Sequence, residues 1–143
     1  RVVVVGKGER RDLQLPAELE DVVSFHPWLR YPDFWSLIQR SYALVPLFGM
    51  PVYFESRISS TVLASLVTCV PLLAEQRLLD TYTFLSPRHV FLRLPGEDEL
   101  SAMQRLQALP EEQLLAPRRA LCELRGAMNA RADELLGGYL REA

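Results

Sequence analysis

Apolar positions along the chain fall into short runs separated by polar turns, and the runs alternate between two periods. Residues 1–5 are β-branched and apolar after Arg1 and end at Gly6. That predicts a strand buried on both faces, the mark of a parallel sheet. A second, shorter strand is predicted over 22–25, after the acidic turn at 18–21. Pro32 then opens a helix to about residue 41. Proline suits a first helical turn, where its missing N–H costs nothing, and Asp33 complements the dipole. Residues 42–46 read as a third buried strand, followed by a loop over 47–57 that contains Gly49 and Pro51. Ser59, Ser60 and Thr61 offer hydroxyl caps for a helix to about residue 68. A fourth strand is predicted over 70–74, a helical turn over 76–82 and a fifth strand over 90–93. From Glu97 the period becomes helical through Leu100, Met103, Leu106 and Leu109, with a break at Pro110. A helix from 111 toward 128, kinked or split at Pro117, and a last one over 129–137 complete the chain. Strands alternating with helices predict an α/β fold with a doubly wound, mostly parallel sheet.

Composition narrows this picture without redirecting it. The 143 residues, 49% of them hydrophobic, fit one compact domain over 1–143. A net charge of −2 gives no electrostatic reason to expect nucleic acid or an anionic membrane as partner. The apolar runs are far shorter than the roughly 20 residues that span a bilayer, so no transmembrane segment is expected. The chain starts at Arg1, consistent with a fragment of a larger protein, and its compartment, cytoplasm or Golgi lumen, stays open. Cys69 and Cys122 lie far apart in helical segments, without metal-ligand spacing. The expectation is two buried thiols rather than a disulfide, and no metal.

Three stretches carry candidate chemistry. Gly6-Lys7-Gly8 follows the first strand, where glycines permit a tight turn or a close approach to a ligand. A dinucleotide fingerprint would need a further glycine at position 11, where Arg11 stands, and an acid after the second strand, which ends in Phe25-His26. A nicotinamide site is therefore disfavoured. The stretch 47–61 leaves the carboxyl end of a predicted strand and enters a helix, the place where open α/β sheets bind ligands. Helix N–H groups there attract phosphate. Ser59, Ser60 and Thr61 add hydroxyls, Arg57 a fork-shaped cation, and Glu55 an acceptor for sugar hydroxyls. The same hydroxyls serve equally as ordinary helix caps, their commoner use. His26, at a strand's carboxyl end before Pro27 and Trp28, is a nucleotide-contact candidate; His89 lies in a similar loop, and neither has a triad or ligand partner at a fitting spacing. Trp28, Tyr31, Phe34 and Trp35 form a cluster suited to packing or to stacking on a base. Arg118, Arg119, Arg125 and Arg131, interspersed with acids, read as a solvated helical face.

The ordered series of segments resembles the C-terminal, donor-binding domain of GT-B fold glycosyltransferases, in particular the retaining group of glycogen synthase-like and mannosyltransferase-like enzymes. The resemblance rests on Val2-Val3-Val4-Val5-Gly6-Lys7-Gly8-Glu9, Asp21-Val22-Val23-Ser24-Phe25, Ser41-Tyr42-Ala43-Leu44-Val45-Pro46, residues 63–74, residues 92–100 and the helix from Leu109 to Leu121. It implies a Rossmann-like domain that binds a nucleotide-diphosphate sugar as substrate, with no separate cofactor. The donor would be held by Glu55, Arg57, Ser59, Ser60, Thr61, Gly6, Gly8 and His26. The catalytic residues are unknown, since much of that machinery lies in the family's N-terminal domain.

Two departures qualify what the resemblance implies. The family carries two glutamates eight apart, where this chain has Ser56 and Ala64, although Glu55 is adjacent and Ser60 or Ser65 offers a hydroxyl. Cys69 replaces the family's glycine, so a left-handed helix end there is strained. The family's domain also begins one strand earlier, with a strand from the middle of the sheet. Without it, buried backbone groups lack partners, so the strand is expected from an N-terminal domain or other missing segment, a second chain or a swapped copy; failing that, the flanking strands close up. The alternative is a non-catalytic domain of the same fold acting as a scaffold, with the apolar loop 47–54 as its partner surface and Phe48 and Tyr53 as the anchors. An enzyme of another kind, such as an epimerase, finds no acid–base pair.

Overall fold

The computed structural model describes residues 1–142 and is a mixed α/β chain of two compact units, Arg1–Leu37 and Ile38–Ala143. In the first unit β1 (Val2–Gly6) pairs in parallel with β2 (Val23–Pro27), in the register Val2↔Val23 to Gly6↔Pro27. The β-branched run extends as read. Two 3₁₀ turns, Arg10–Leu13 and Ala17–Leu19, make the crossover. Gly8 sits at φ 118°, and a Cβ there would meet Asp12 Oδ2 at 3.3 Å, so this turn requires glycine. Among the described residues of this unit, Val23 is the one fully buried apolar side chain, and Val3 is 36% exposed. Helix α1 (Tyr31–Gln39) begins in this unit. Its aromatics pack edge to face, Tyr31 on Trp35 at 5.7 Å and Phe34 on Trp35 at 5.3 Å, while Trp28 lies under the Lys7 ammonium at 5.7 Å.

The second unit holds the hydrophobic core. Strand β3 (Leu72–Ala74) pairs in parallel with β4 (Val90–Leu92), and Leu44 adds a parallel bridge to Leu72 on the other side. The strand predicted over 42–46 is thus reduced to that bridge, anchored by Leu44 N–H to Pro71 O and Leu73 N–H to Leu44 O, each 2.8 Å. All three residues of β3 are buried, as the unbroken apolar run requires. Around the strands lie α2 (Ser60–Thr68), α3 (Gln76–Thr81), α4 (Glu99–Gln107) and α5 (Glu111–Glu142). One core cluster joins Val62, Leu72, Leu78, Tyr82, Val90 and Leu121; another joins Leu73, Phe91, Ala102 and Leu106. No described helix is long and apolar enough to cross a membrane.

Two expectations are corrected here. The tail is one 32-residue helix, not two helices with Pro117 or residue 129 as a boundary. Pro117 forfeits the bond to the carbonyl four residues back and crowds that carbonyl, but Leu121 (0% exposed) and Ala120 on the same helix are buried. Cys69 and Cys122 are not free thiols: they are joined as a disulfide with Cα atoms 5.3 Å apart. Fifty-three residues of sequence separate them, but the end of α2 lies against α5. Cys69 closes α2 in the left-handed region at φ 57°, ψ 23°, as the substitution for glycine implied.

The arginines of α5 do more than solvate its face. Arg118 donates to Gln39 O at the end of α1 and Arg125 to Val67 O near the end of α2, both at 2.6 Å. Cations at helix C-termini satisfy exposed carbonyls and oppose the dipole. Arg119 pairs with Glu112, and Arg131 with Glu134.

The turn into α4 is held by Glu97. Its two oxygens take Arg105 Nε and Nη2, each at 2.8 Å, and Oε2 also accepts Leu94 N–H at 2.9 Å. The Arg105 hydrogen bond, then that of Leu94, lowers the Glu97 carboxyl from 4.5 to about 2. A depressed carboxylate stabilises the fold above its unfolded value, and that contribution disappears as pH falls through about 2. We expect NMR titration of the Glu97 side chain to give a midpoint near 2 in the native protein. In Arg105→Leu the midpoint should rise toward the ordinary carboxylate range without fully reaching it, since the Leu94 N–H bond remains; an unchanged midpoint would refute the pairing.

Candidate functional site

The predicted site residues divide between the two units. In the first, parallel pairing sets Val5 opposite His26 and Gly6 opposite Pro27, so Gly6 and His26 lie at the carboxyl ends of β1 and β2, with Gly8 in the turn that follows β1. Trp28 N–H donates to Gly6 O at 3.3 Å and closes this edge. Trp28 itself takes φ 53° and is 70% exposed. His26 is half-buried, with Nε2 at 3.3 Å from Ser24 Oγ.

In the second unit the chain leaves Leu44, makes a 3₁₀ turn at Pro51–Phe54 and enters α2. The turn follows from Pro51 at its first position. Glu55, Ser56 and Arg57 hang on it, each donating its N–H to Val52 O at 3.0–3.3 Å, and Glu55 and Arg57 are exposed. Ser59 is the N-cap: its Oγ accepts Thr61 N–H at 3.2 Å. Its own N–H donates to the Tyr82 hydroxyl at 3.1 Å, and that hydroxyl donates to Tyr53 O at 2.7 Å. Ser59 is therefore 4% exposed and fully engaged, whereas Ser60 faces solvent and Thr61 is partly exposed. Ser65 is likewise occupied, donating to Val70 O at 2.6 Å from a buried position. Hydroxyl capping, read from the sequence as the commoner use, accounts for Ser59.

Tyr82 was not singled out in the sequence. A tyrosine at the end of a short apolar helix gives little signal there, and only the fold brings it beside residue 59. Removing its hydroxyl leaves the Ser59 N–H and the Tyr53 carbonyl without their partner. We expect Tyr82→Phe to cost about 1–3 kcal/mol in chemical denaturation, with faster amide exchange over 53–61. Unchanged exchange would show that the hydroxyl does not hold this loop.

The apolar loop 47–54 is not the free surface expected of it. Phe48 stacks on Tyr53 at 5.6 Å and meets Phe54 edge to face at 5.0 Å, and Phe48 packs on the core cluster. Leu47 (80%) and Met50 (52%) remain exposed. Phe48 and Tyr53 are thus anchors of the protein's own packing, and serine at either would disturb folding as well as any partner.

Beside this loop a crevice of about 420 Å³ opens where three parallel segments end. Val45 follows Leu44, Glu75 follows β3 and Arg93 follows β4, and all three line it. Arg93 is clamped by Glu75 at 3.0 Å and Glu99 at 2.5 Å. Arg77 lies over the Phe54 ring at 4.1 Å. His89 is far less available. Its Nδ1 accepts Ser86 N–H at 3.0 Å in a buried position, and burial, then the Arg88 charge, lowers its pKa. Burial and the Arg88 charge thus disfavour the charged form of a ring that is engaged by Ser86 and Arg88.

No family model matches this chain, and no curated protein or solved structure matches it either.

Proposed function

We propose that this chain is the nucleotide-sugar-binding half of a GT-B type glycosyltransferase, a Rossmann-like domain that donates a sugar to an acceptor held elsewhere. The observation that carries the reading is the parallel pairing. β1 pairs with β2 in one unit, and Leu44 with β3 and then β4 in the other, as two separate short parallel groups; parallel pairing is the feature of the reading that they support. In each unit the loops that the resemblance assigns to the donor leave the carboxyl ends of these strands. The donor's diphosphate would meet the exposed Ser60, the Thr61 hydroxyl and Arg57, with Glu55 toward the sugar. These groups would stabilise the leaving diphosphate electrostatically.

The scarcity of core in the first unit supports the further expectation of an added strand. β1 is apolar along its length and pairs on one edge only. Two-stranded sheets are marginal alone, and parallel ones are covered on both faces. A strand from an N-terminal domain or a second chain, added to that edge, would pair its free backbone groups and widen the sheet.

A specific observation favours the second reading, a non-catalytic scaffold of the same fold. The first amides of α2 are partly taken, Thr61 by Ser59 and Ser59 by Tyr82, and Ser56 and Ala64 stand where the family has acids. One experiment separates the two. NMR titration with UDP, GDP and their sugars should shift the amides of residues 55–61 saturably if the donor reading holds. Silence there, with the missing strand supplied as a peptide or partner domain, leaves the scaffold.

A further inference from the structure

We propose that the Cys69–Cys122 disulfide is a reversible redox switch, opened in the native state by a dithiol at Cys122, that sets whether the outer half of α5 is held to the body of its unit. No residue assigned to the donor takes part in it. The two ends of the bond differ. Cys69 is 2% exposed at the end of α2, whereas Cys122 is an exposed residue on α5. A thiolate arriving from solvent therefore meets the Cys122 sulfur first, and exposed disulfides are the ones that exchange readily. The surroundings are cationic. Arg118 and Arg125 stand four positions before and three after Cys122, on one side of α5. Arg125 also reaches Val67 O, two residues before Cys69, at 2.6 Å. Positive charge there draws an attacking thiolate and stabilises a departing one.

One thiolate of the dithiol attacks Cys122 Sγ. The Sγ–Sγ bond breaks, and Cys69 leaves with the electron pair and takes up a proton. The second sulfur of the reagent then attacks its first, closing a cyclic disulfide and releasing Cys122 as a thiolate that is protonated in turn. The dithiol loses two electrons and the protein gains them, ending as two thiols.

The place of the bond gives its opening a conformational consequence. Ala120 and Leu121 are buried and Leu124 packs on the core cluster, but residues 126–136 are exposed throughout. The cross-link thus sits where α5 loses its cover. Beyond that point the helix gains little from packing, and helical segments of that length are marginal in water. With the bond closed, α5 is pinned there to the end of α2. With the bond open, the Arg125–Val67 hydrogen bond and the partly buried Leu124 remain, and unwinding passes inward beyond residue 122. The rest of the unit has its own support. Ser65 Oγ still donates to the buried Val70 O, and Leu72, Leu78 and Leu121 keep their cluster. The reduced protein is therefore a folded state with a loosened arm, which separates a switch from a structural staple.

The full chain is treated at neutral pH, without denaturant, with dithiothreitol, with reduced glutathione or with neither, and followed by mass spectrometry and amide exchange. Expected are reduction by dithiothreitol within hours and a glutathione adduct on Cys122 rather than Cys69. Amide exchange over 119–128 should rise about tenfold or more on reduction, while 72–74 and 90–92 keep their protection. Replacing the reductant with glutathione disulfide should restore slow exchange. Cys122→Ser should exchange fast without reductant and respond no further to it. A bond that opens only in urea, an adduct on Cys69, or unchanged exchange over 119–128 after full reduction each overturns the proposal. Loss of protection across 72–74 on reduction, or a Cys122→Ser chain that does not fold, overturns it too, since the reduced state must be folded.

Discussion

Replacing Cys122 by serine, with Cys69 also replaced by alanine, should lower the unfolding free energy by about 4 kcal/mol in urea. The bond closes a loop of 53 residues, and cross-linking a loop of that length removes about that much denatured-state freedom. The same loss should follow when the native protein is denatured with a reductant present, and the two effects should not add. Domains are commonly stable by only about 5–15 kcal/mol, so the cross-link is a large share of the total. A double substitution that left the urea midpoint unmoved would show that the cysteines do not pair in solution. Cys69→Gly alone is instructive: it relieves a left-handed residue worth about 1–2 kcal/mol while losing the cross-link, so it should be less harmful than Cys69→Ala.

Leu72→Ala should cost about 3 kcal/mol, measured as a shift in denaturation midpoint at constant slope. Leu72 is fully buried and is the residue to which both Leu44 and Val90 pair. Its side chain belongs to the cluster that also contains Cys69, Leu78 and Leu121. The neighbouring strands hold the backbone in place, so the cavity cannot collapse freely and the cost stays high. Because it shares that cluster with Cys69, the leucine and cysteine variants should couple rather than add. A loss below about 1 kcal/mol would mean that the strand is less tightly packed than its burial indicates.

Much of this fold was legible because its strands are short apolar runs with sharp polar ends. The valines of β1, the buried run of β3 and the hydroxyls before α2 each declare their state locally. What was not legible depends on partners distant in sequence. The third strand shrinks to a bridge because, of residues 42–46, Leu44 is the one that pairs with β3. Pro117 was read as a possible boundary, yet one missing backbone bond is outweighed by the burial of Ala120 and Leu121 beyond it. The cysteines were read from spacing alone, which says nothing about two helices meeting. The apolarity of the loop 47–54 reads as a surface for a partner. Apolarity instead folds it inward, through Phe48, Tyr53 and Phe54. At the candidate site the cap at Ser59 could be anticipated, but the Tyr82 hydroxyl and the Glu75–Arg93–Glu99 clamp could not. Those contacts span 6 to 29 residues of sequence and have no local pattern.

The two guanidiniums of α5 that reach the carbonyls of Gln39 and Val67 stand seven positions apart, about two helical turns or roughly 10 Å along the axis. α5 is therefore a splint of fixed length: it spaces the ends of two other helices by counting its own residues. One alanine inserted between positions 118 and 125 would swing one guanidinium about 100° around the axis and unhook it. A seven-residue insertion would restore the angle but overshoot the span.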